Sequence, residues 1–231
     1  MTKTLSVIIP CFRQAHFLGE AIESVLAQTV KADEIIVVND GSDDNTGEVA
    51  RKYPVILAEK KNGGLSSARN AGIKVATSQF IQCLDADDIL RPDTIKEHMA
   101  IADESSIAQC GLMYFGSENA VYRPLGANLE TLLHSNTVYC NSVFPKEAWV
   151  KAGGYDESDT MRLGLEDWLF WIELCALGLQ VKTSPYIALL YRRHANTMTK
   201  NTTHPNWNLI VSFMAKKLKE KYGLESHFRL L

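Results

Sequence analysis

Four short apolar runs punctuate the first 85 residues, and what separates them fixes most of what this chain can fold into. They are Leu5–Ile9, Ile35–Val38, Val55–Leu57 and a run that ends at Leu84. Between the first two, Phe17, Leu18, Ala21, Ile22, Val25 and Leu26 recur at helical spacing, which predicts a helix from about Ala15 to Gln28. Asp43 to Thr46 supplies caps and turns before a short helix to about Lys52. Gly63-Gly64 opens a loop, and Ser66 or Ser67 caps a helix running to about Val75. Alternating strands and helices with short, wholly apolar strands are the pattern of a parallel sheet covered on both faces. In such sheets ligands bind beyond the carboxyl ends of the strands. The polar clusters 11–13, 39–43 and 85–88 fall at those ends, so three separate loops are expected at one rim.

The second half is less regular. Residues 109–115 and 138–144 are expected as strands, and 146–150 as a short helix. Residues 166–177 form a helix with Leu169, Ile172, Glu173 and Ala176 spaced in turns and Gly178 beyond its end. Two further strands are expected at 181–183 and 187–192. No repeat or low-complexity linker is visible. One domain over 1–231 is the simpler reading, with a regular half to about 105, a less regular half to about 199 and a helical tail. That tail, 200–231, carries six Lys or Arg against two Glu. Trp207, Ile210, Val211, Met214 and Leu218 form an apolar stripe opposite its lysines. Such a helix either packs on its own domain or lies on an anionic membrane.

Composition narrows the class. The net charge of −3 gives no reason to expect a nucleic-acid partner. Five scattered cysteines, 11, 83, 110, 140 and 175, have no CxxC spacing, which argues for reduced thiols and against a zinc site. No apolar run approaches the ~20 residues that cross a bilayer, and no targeting segment is visible. A cytoplasmic protein is expected, with peripheral contact at the inner membrane face as the alternative for the tail.

The densest chemistry lies at 84–88, Leu-Asp-Ala-Asp-Asp. Three carboxylates at a strand end repel one another unless a cation offsets them. Hard oxygen ligands suit Mg²⁺ or Mn²⁺, ions that bridge to nucleotide phosphates.

Several motifs then occur in a fixed order. They are Ser6–Phe12 (SVIIPCF), Ile35–Asp44 (IIVVNDGSDD), Gly63–Gly72 (GGLSSARNAG) and the 84–88 cluster. Gly153–Glu157 (GGYDE), Glu166-Asp167-Trp168 and Tyr191–His194 (YRRH) follow. Together they resemble glycosyltransferase family 2, over at least residues 4–199. The resemblance implies the GT-A fold, an α/β architecture with a Rossmann-like, mostly parallel sheet flanked by helices. It implies inverting transfer of a sugar from a nucleotide-diphosphate sugar, usually a UDP-sugar, to a hydroxyl of a saccharide or lipid-linked acceptor. It also implies assistance by Mn²⁺ or Mg²⁺. A nucleoside diphosphate leaves readily only when its developing charge is neutralised, and the acceptor hydroxyl needs a general base.

Residue by residue, the resemblance implies that Asp85 faces the nucleotide ribose and Asp87 ligates the metal, with His194 as a further ligand. Asp88 either joins them or caps the following turn. Asp40 accepts from a uracil edge, and Pro10 and Phe12 line the base site, Phe12 offering a ring face. Arg69 reaches the base or the diphosphate; the bland alternative is a surface ion pair. Asp167 is the catalytic base, kept ionised by a helix N-terminus. Glu166 orients the acceptor or the transferred sugar, or else caps the helix, and Trp168 is either core or acceptor-site wall. Arg192 and Arg193 are alternative diphosphate clamps. Gly63-Gly64 is not a P-loop, because the Gly-Lys-Ser/Thr ending is absent. Two rival readings remain, a sugar nucleotidyltransferase and a binding module without catalysis. The glycine-free loop Pro10–Arg13 counts against the first. The joint presence of Asp85, Asp87, Asp167 and His194 counts against the second.

Overall fold

The computed structural model describes residues 3–124, 126–194 and 198–229. The first half follows the predicted alternation. Strand β1 (Leu5–Cys11), helix α1 (Ala15–Leu26), β2 (Glu34–Asn39), α2 (Thr46–Ala50), β3 (Ile56–Glu59), α3 (Leu65–Val75) and β4 (Phe80–Cys83) succeed one another. β1 pairs in parallel with both β2 and β4, and β2 with β3. Successive side chains of a strand point to opposite faces. Ile8 therefore enters the core beneath α3, while Val7 and Ile9 enter the one beneath α1, and all three are fully buried. Complete burial contributes about 1.5–3 kcal/mol for each such side chain. This is why the runs are apolar on both faces rather than at alternate positions only, with buried Ser6 and Gln82 as polar interruptions.

α3 lies close against the sheet because Gly72 has no side chain. A Cβ there would come within 2.4 Å of Ile8 Cγ2 and 2.9 Å of Val38 Cγ2.

The chain then adds β5 (Ile89–Leu90), α4 (Thr94–Ile101), β6 (Ser106–Gly116), β7 (Ala120–Tyr122), α5 (Leu129–Leu132), β8 (Val143–Pro145) and α6 (Lys146–Ala152). After α7 (Glu166–Ala176) come β9 (Gln180–Arg193) and α8 (Trp207–Tyr222). The sheet order is β3-β2-β1-β4-β8-β6-β9-β5, with β7 on β6. β8 runs antiparallel to both neighbours, and β6 and β9 are parallel again.

Three local expectations differ from this. The two strands expected at 181–183 and 187–192 are one strand, β9, which absorbs Pro185 through register irregularities opposite Gln109–Leu112. The strand expected over 138–144 is only three residues long and begins at Val143. Helix α4 was not apparent in the sequence; it is short, and its buried face includes Thr94 and His98 as well as Ile95.

The apolar stripe of α8 faces inward. Ile210, Met214 and Leu218 are fully buried, and Trp207 stands 6.0 Å from the Trp168 ring. Lys217 donates to Asp156, and Lys221 donates to the buried Glu173 at 3.0 Å. The stripe that a membrane would have covered is therefore covered by the protein itself. Among the described residues, no helix is long and apolar enough to cross a membrane.

Candidate active site

The ends of β1, β2 and β4 open onto one cavity of about 540 Å³, within the range of small-molecule sites. Pro10, Phe12, Asp40, Asp85 and Asp87 all line it, as their sequence motifs predicted. Phe12 sits at the rim, 39% exposed, with the Arg13 guanidinium 5.0 Å from its ring centre. Arg13 takes a left-handed backbone (φ 55°) and pairs with Asp43 at 2.8 Å.

Asp40 is buried, and its carboxylate is already full. Oδ1 accepts from Lys60 Nζ at 2.7 Å and from the Gly63 N–H at 3.0 Å. Oδ2 accepts from Asn62 Nδ2 at 3.1 Å and from the Gly64 N–H at 2.9 Å. A carboxylate offers about four lone-pair sites. The uracil contact expected of Asp40 therefore meets an acceptor whose positions are taken, and its evident work is to clamp the loop 60–64.

Arg69 also differs from expectation. It is neither a surface residue nor a lining one: its side chain is 1% exposed. Nη2 donates to Asp85 Oδ1 at 2.8 Å and Nη1 to Glu166 Oε1 at 2.5 Å. Burial opposes its charge, but Asp85 and Glu166 outweigh that and hold the guanidinium well above its usual range. Arg69 thus joins the donor-side aspartate to the first turn of α7.

That turn is set by unusual backbone. Gly164 has φ 123°, and Leu165 has φ 63°, an uncommon value for a branched residue. Glu166 is 4% exposed, and its Oε1 accepts from Arg69, so holding that arginine is its evident contact in place of the acceptor or sugar expected from the sequence. Asp167 is half-buried and accepts from the Trp168 N–H at 2.7 Å. Burial first, and then the neighbouring Glu166, push the Asp167 carboxyl up to about 7. Asn136 Nδ2 lies 3.5 Å from Asp167 Oδ1. Trp168 is core, not wall: it is 1% exposed, and its Nε1 donates to Leu132 O at 2.7 Å.

Asp87 and His194 meet as predicted. Asp87 Oδ2 is 3.2 Å from His194 Nε2, and Gln14 Nε2 donates to the same oxygen at 3.1 Å. Burial and the Asp85 charge push the Asp87 carboxyl up. A half-enclosed carboxylate beside an imidazole, short of positive charge, is a donor set that fits Mn²⁺ or Mg²⁺. A second group, Asp85, Asp88 and Cys140, has ligand atoms within 4.8 Å of one another. It suits Mg²⁺ or Mn²⁺ less well, because one of its three donors is a soft sulfur rather than a hard oxygen.

Asp88 neither lines the cavity nor caps the turn. It is buried and accepts from the Arg192 N–H at 2.8 Å, tying the cluster to β9. Arg192 returns the tie through Nε to Asp87 O at 2.8 Å and also pairs with Glu20. Arg193 turns instead to Glu118. Both arginines therefore hold β9 and its surroundings, which leaves neither as an evident diphosphate clamp.

Other lining residues carried no signal in the sequence: Asn62, Arg162 and, on one turn, Met198, Thr199, Asn201 and Thr202; Tyr191 of the YRRH motif lines the cavity as well. Thr203 Oγ1 fastens that turn to Leu163 O at 3.0 Å. Asn70 explains why two motifs travel together. Its Nδ2 donates to Tyr155 O and Glu157 Oε1, both at 2.8 Å, so ARN and GGYDE form one joint.

Comparison with known proteins agrees with this geometry. Residues 6–157 match the model of glycosyl transferase family 2. An uncharacterized glycosyltransferase of Rickettsia typhi is 36% identical over 171 residues, covering 67% of this chain and 54% of the relative. The minor teichoic acid biosynthesis protein GgaB of Bacillus subtilis is 43% identical over 107 residues, covering 43% of this chain and 12% of its own length. The chain thus spans about half the length of the Rickettsia relative. Among solved structures, TarS of S. aureus in complex with UDP-GlcNAc superposes with a TM-score of 0.78 at 18% identity. That match covers 96% of this chain and 68% of TarS. The mannosyltransferase PcManGT of Pyrobaculum calidifontis, in complex with GDP-Man and Mn²⁺, gives a TM-score of 0.69 at 16% identity, covering 98% and 66%. The fold is GT-A, and the chain belongs to glycosyl transferase family 2.

Proposed function

We propose that this protein transfers a sugar from a nucleotide-diphosphate sugar, a UDP-sugar first, to a hydroxyl of a saccharide or lipid-linked acceptor, with inversion. The observation that carries this reading is the buried Arg69, which joins Asp85 at the cavity to the helix turn bearing Asp167. Donor binding and proton abstraction thereby share one rigid frame. The chain acts as one unit, with the parallel half holding the donor and residues 106–199 facing the acceptor.

In this reading Phe12 and Pro10 flank the nucleobase, and Asp85 faces the ribose. Asp87 and His194 hold the divalent ion, which when bound offsets the charge on the departing diphosphate. Asp167, with a carboxyl near neutrality, accepts the proton of the acceptor hydroxyl. Glu166 holds the frame through Arg69 rather than touching sugar. Two solved neighbours support the donor class, TarS with UDP-GlcNAc and PcManGT with GDP-Man and Mn²⁺. The name of GgaB points to cell-surface polymer synthesis as the setting.

A thermal-shift panel of UDP-, GDP- and dTDP-sugars with Mn²⁺ tests the donor class. The stabilising donor is then followed for nucleoside diphosphate release in the presence of an acceptor extract. Stabilisation without release for the native protein and its Asp167→Asn variant alike would favour a binding module over an enzyme.

A further inference from the structure

Among the described residues, Arg162 is the one Lys or Arg that lines the cavity, and several neighbouring cations have carboxylate partners. Lys60 pairs with Asp40, Arg69 with Asp85 and Glu166, Arg13 with Asp43, and Arg192 with Glu20. Arg162 lines the same cavity, yet among the described residues no carboxylate lies within ion-pairing distance of its guanidinium. Its partner is neutral: Nη2 donates to Asn62 Oδ1 at 3.0 Å.

Its placement is built into the loop beneath it. Gly64 has φ 87°, and a Cβ there would stand 3.1 Å from Arg162 Nε and 3.2 Å from its Cγ. The arginine stem thus lies close over Gly64, whose positive φ itself favours glycine. Asn62 in turn donates through Nδ2 to the Asp40 carbonyl at 3.0 Å and to its carboxylate. The chain Arg162–Asn62–Asp40 therefore ties the guanidinium to the end of β2, where the Asp40 carboxylate already accepts from four donors.

We propose that Arg162 is a specificity-determining residue of the donor site, its guanidinium reading the carbonyl edge of the donor's nucleobase. This rests on the reading of the cavity as a nucleotide-sugar site. Guanidinium carries five N–H donors in a planar fork and no acceptor. One is used on Asn62, so the rest favour a base edge that presents acceptors. Uracil and thymine present O4 or O2, and guanine presents O6 and N7, the pair arginine reads in a bidentate manner. Adenine offers no carbonyl.

Titration calorimetry of the full chain with UDP, GDP and inorganic pyrophosphate, each with Mg²⁺, tests this. Arg162→Ala is expected to weaken whichever nucleotide the native protein binds more tightly by roughly tenfold or more. It should leave pyrophosphate binding unchanged. The nucleotide that weakens identifies the base. Arg162→Lys should not restore the affinity, because the fork is lost. Arg162 is exposed, and an unchanged melting temperature in both variants verifies their fold. Equal weakening of nucleotide and pyrophosphate would assign the guanidinium to phosphate and overturn the proposal, as would unchanged affinity throughout. A native protein that binds neither nucleotide would instead overturn the donor-site reading itself.

Discussion

Arg69 and Glu166, 97 positions apart in sequence, meet in an enclosed ion pair that also captures Asp85. Removing one partner of a buried pair leaves an uncompensated charge, at a cost of about 3–5 kcal/mol. Arg69→Met is therefore expected to lower unfolding free energy by about that amount in urea titration. Arg69→Lys should fall between, since a single ammonium cannot reach both carboxylates with the same fork geometry.

Asp167 predicts a pH profile. Its carboxyl titrates near 7, and a general base acts only when ionised. The value of kcat/KM should rise with pH through about 7 and level off above it. Below the inflection it should fall about tenfold per pH unit. Arg69 opposes the upward shift of Asp167, so in any Arg69→Met protein that remains folded the inflection moves to higher pH. Asp167→Asn should retain nucleotide binding by calorimetry and lose roughly 10²–10⁴-fold in turnover.

The Asp87–His194 pair predicts metal dependence. Chelation with EDTA should abolish transfer, and added Mn²⁺ or Mg²⁺ should restore it. His194→Ala should weaken Mn²⁺ binding by at least the roughly tenfold to hundredfold cost of losing an outer-shell partner. Turnover measured against metal concentration checks this. An unchanged midpoint would remove His194 from the ligand set.

Gly72 predicts a packing penalty. A methyl group there meets Ile8 and Val38 below normal contact distance, and overpacking costs about 1–3 kcal/mol. Gly72→Ala should lower the denaturation midpoint by a matching amount. Gly72 does not line the cavity, so turnover at low temperature should change less than stability.

Met214 predicts that α8 is part of the core. It is fully buried on the inward face of the helix, and truncating a buried Met to Ala costs about 2–5 kcal/mol. Met214→Ala should show that loss in urea. Neighbouring exposed Leu209→Ala should change stability by less than about 0.5 kcal/mol.

Much of this site was legible in the sequence because its elements carry strong local signals. Apolar runs ending in polar turns gave β1, β2 and β4, and hence the rim where Phe12, Asp40, Asp85 and Asp87 gather. What stayed hidden was the partner of each charge. Arg69 reads as a contact to base or diphosphate, or else as a surface ion pair; only the fold reveals Glu166 across from it. Asp40 reads as a free acceptor until Lys60, Asn62 and two backbone N–H groups are counted around it. Arg162 carries no motif, and its relation to Gly64 depends on a contact between residues about a hundred positions apart. Residues 180–193 read as two strands because Pro185 interrupts the apolar pattern, while the irregular register on β6 keeps them as one.

The filled carboxylate of Asp40 also bears on how this chain could be recombined with its relatives. Its donors all come from residues 60–64. A chimera with a crossover anywhere between 40 and 60 inherits the acceptor from one parent and every donor from the other. Such a joint keeps the loop only if both parents solved the same geometry. Crossovers that carry 40–64 as a single cassette preserve it, and with Arg162 included they move the whole Asp40 end of the cavity together.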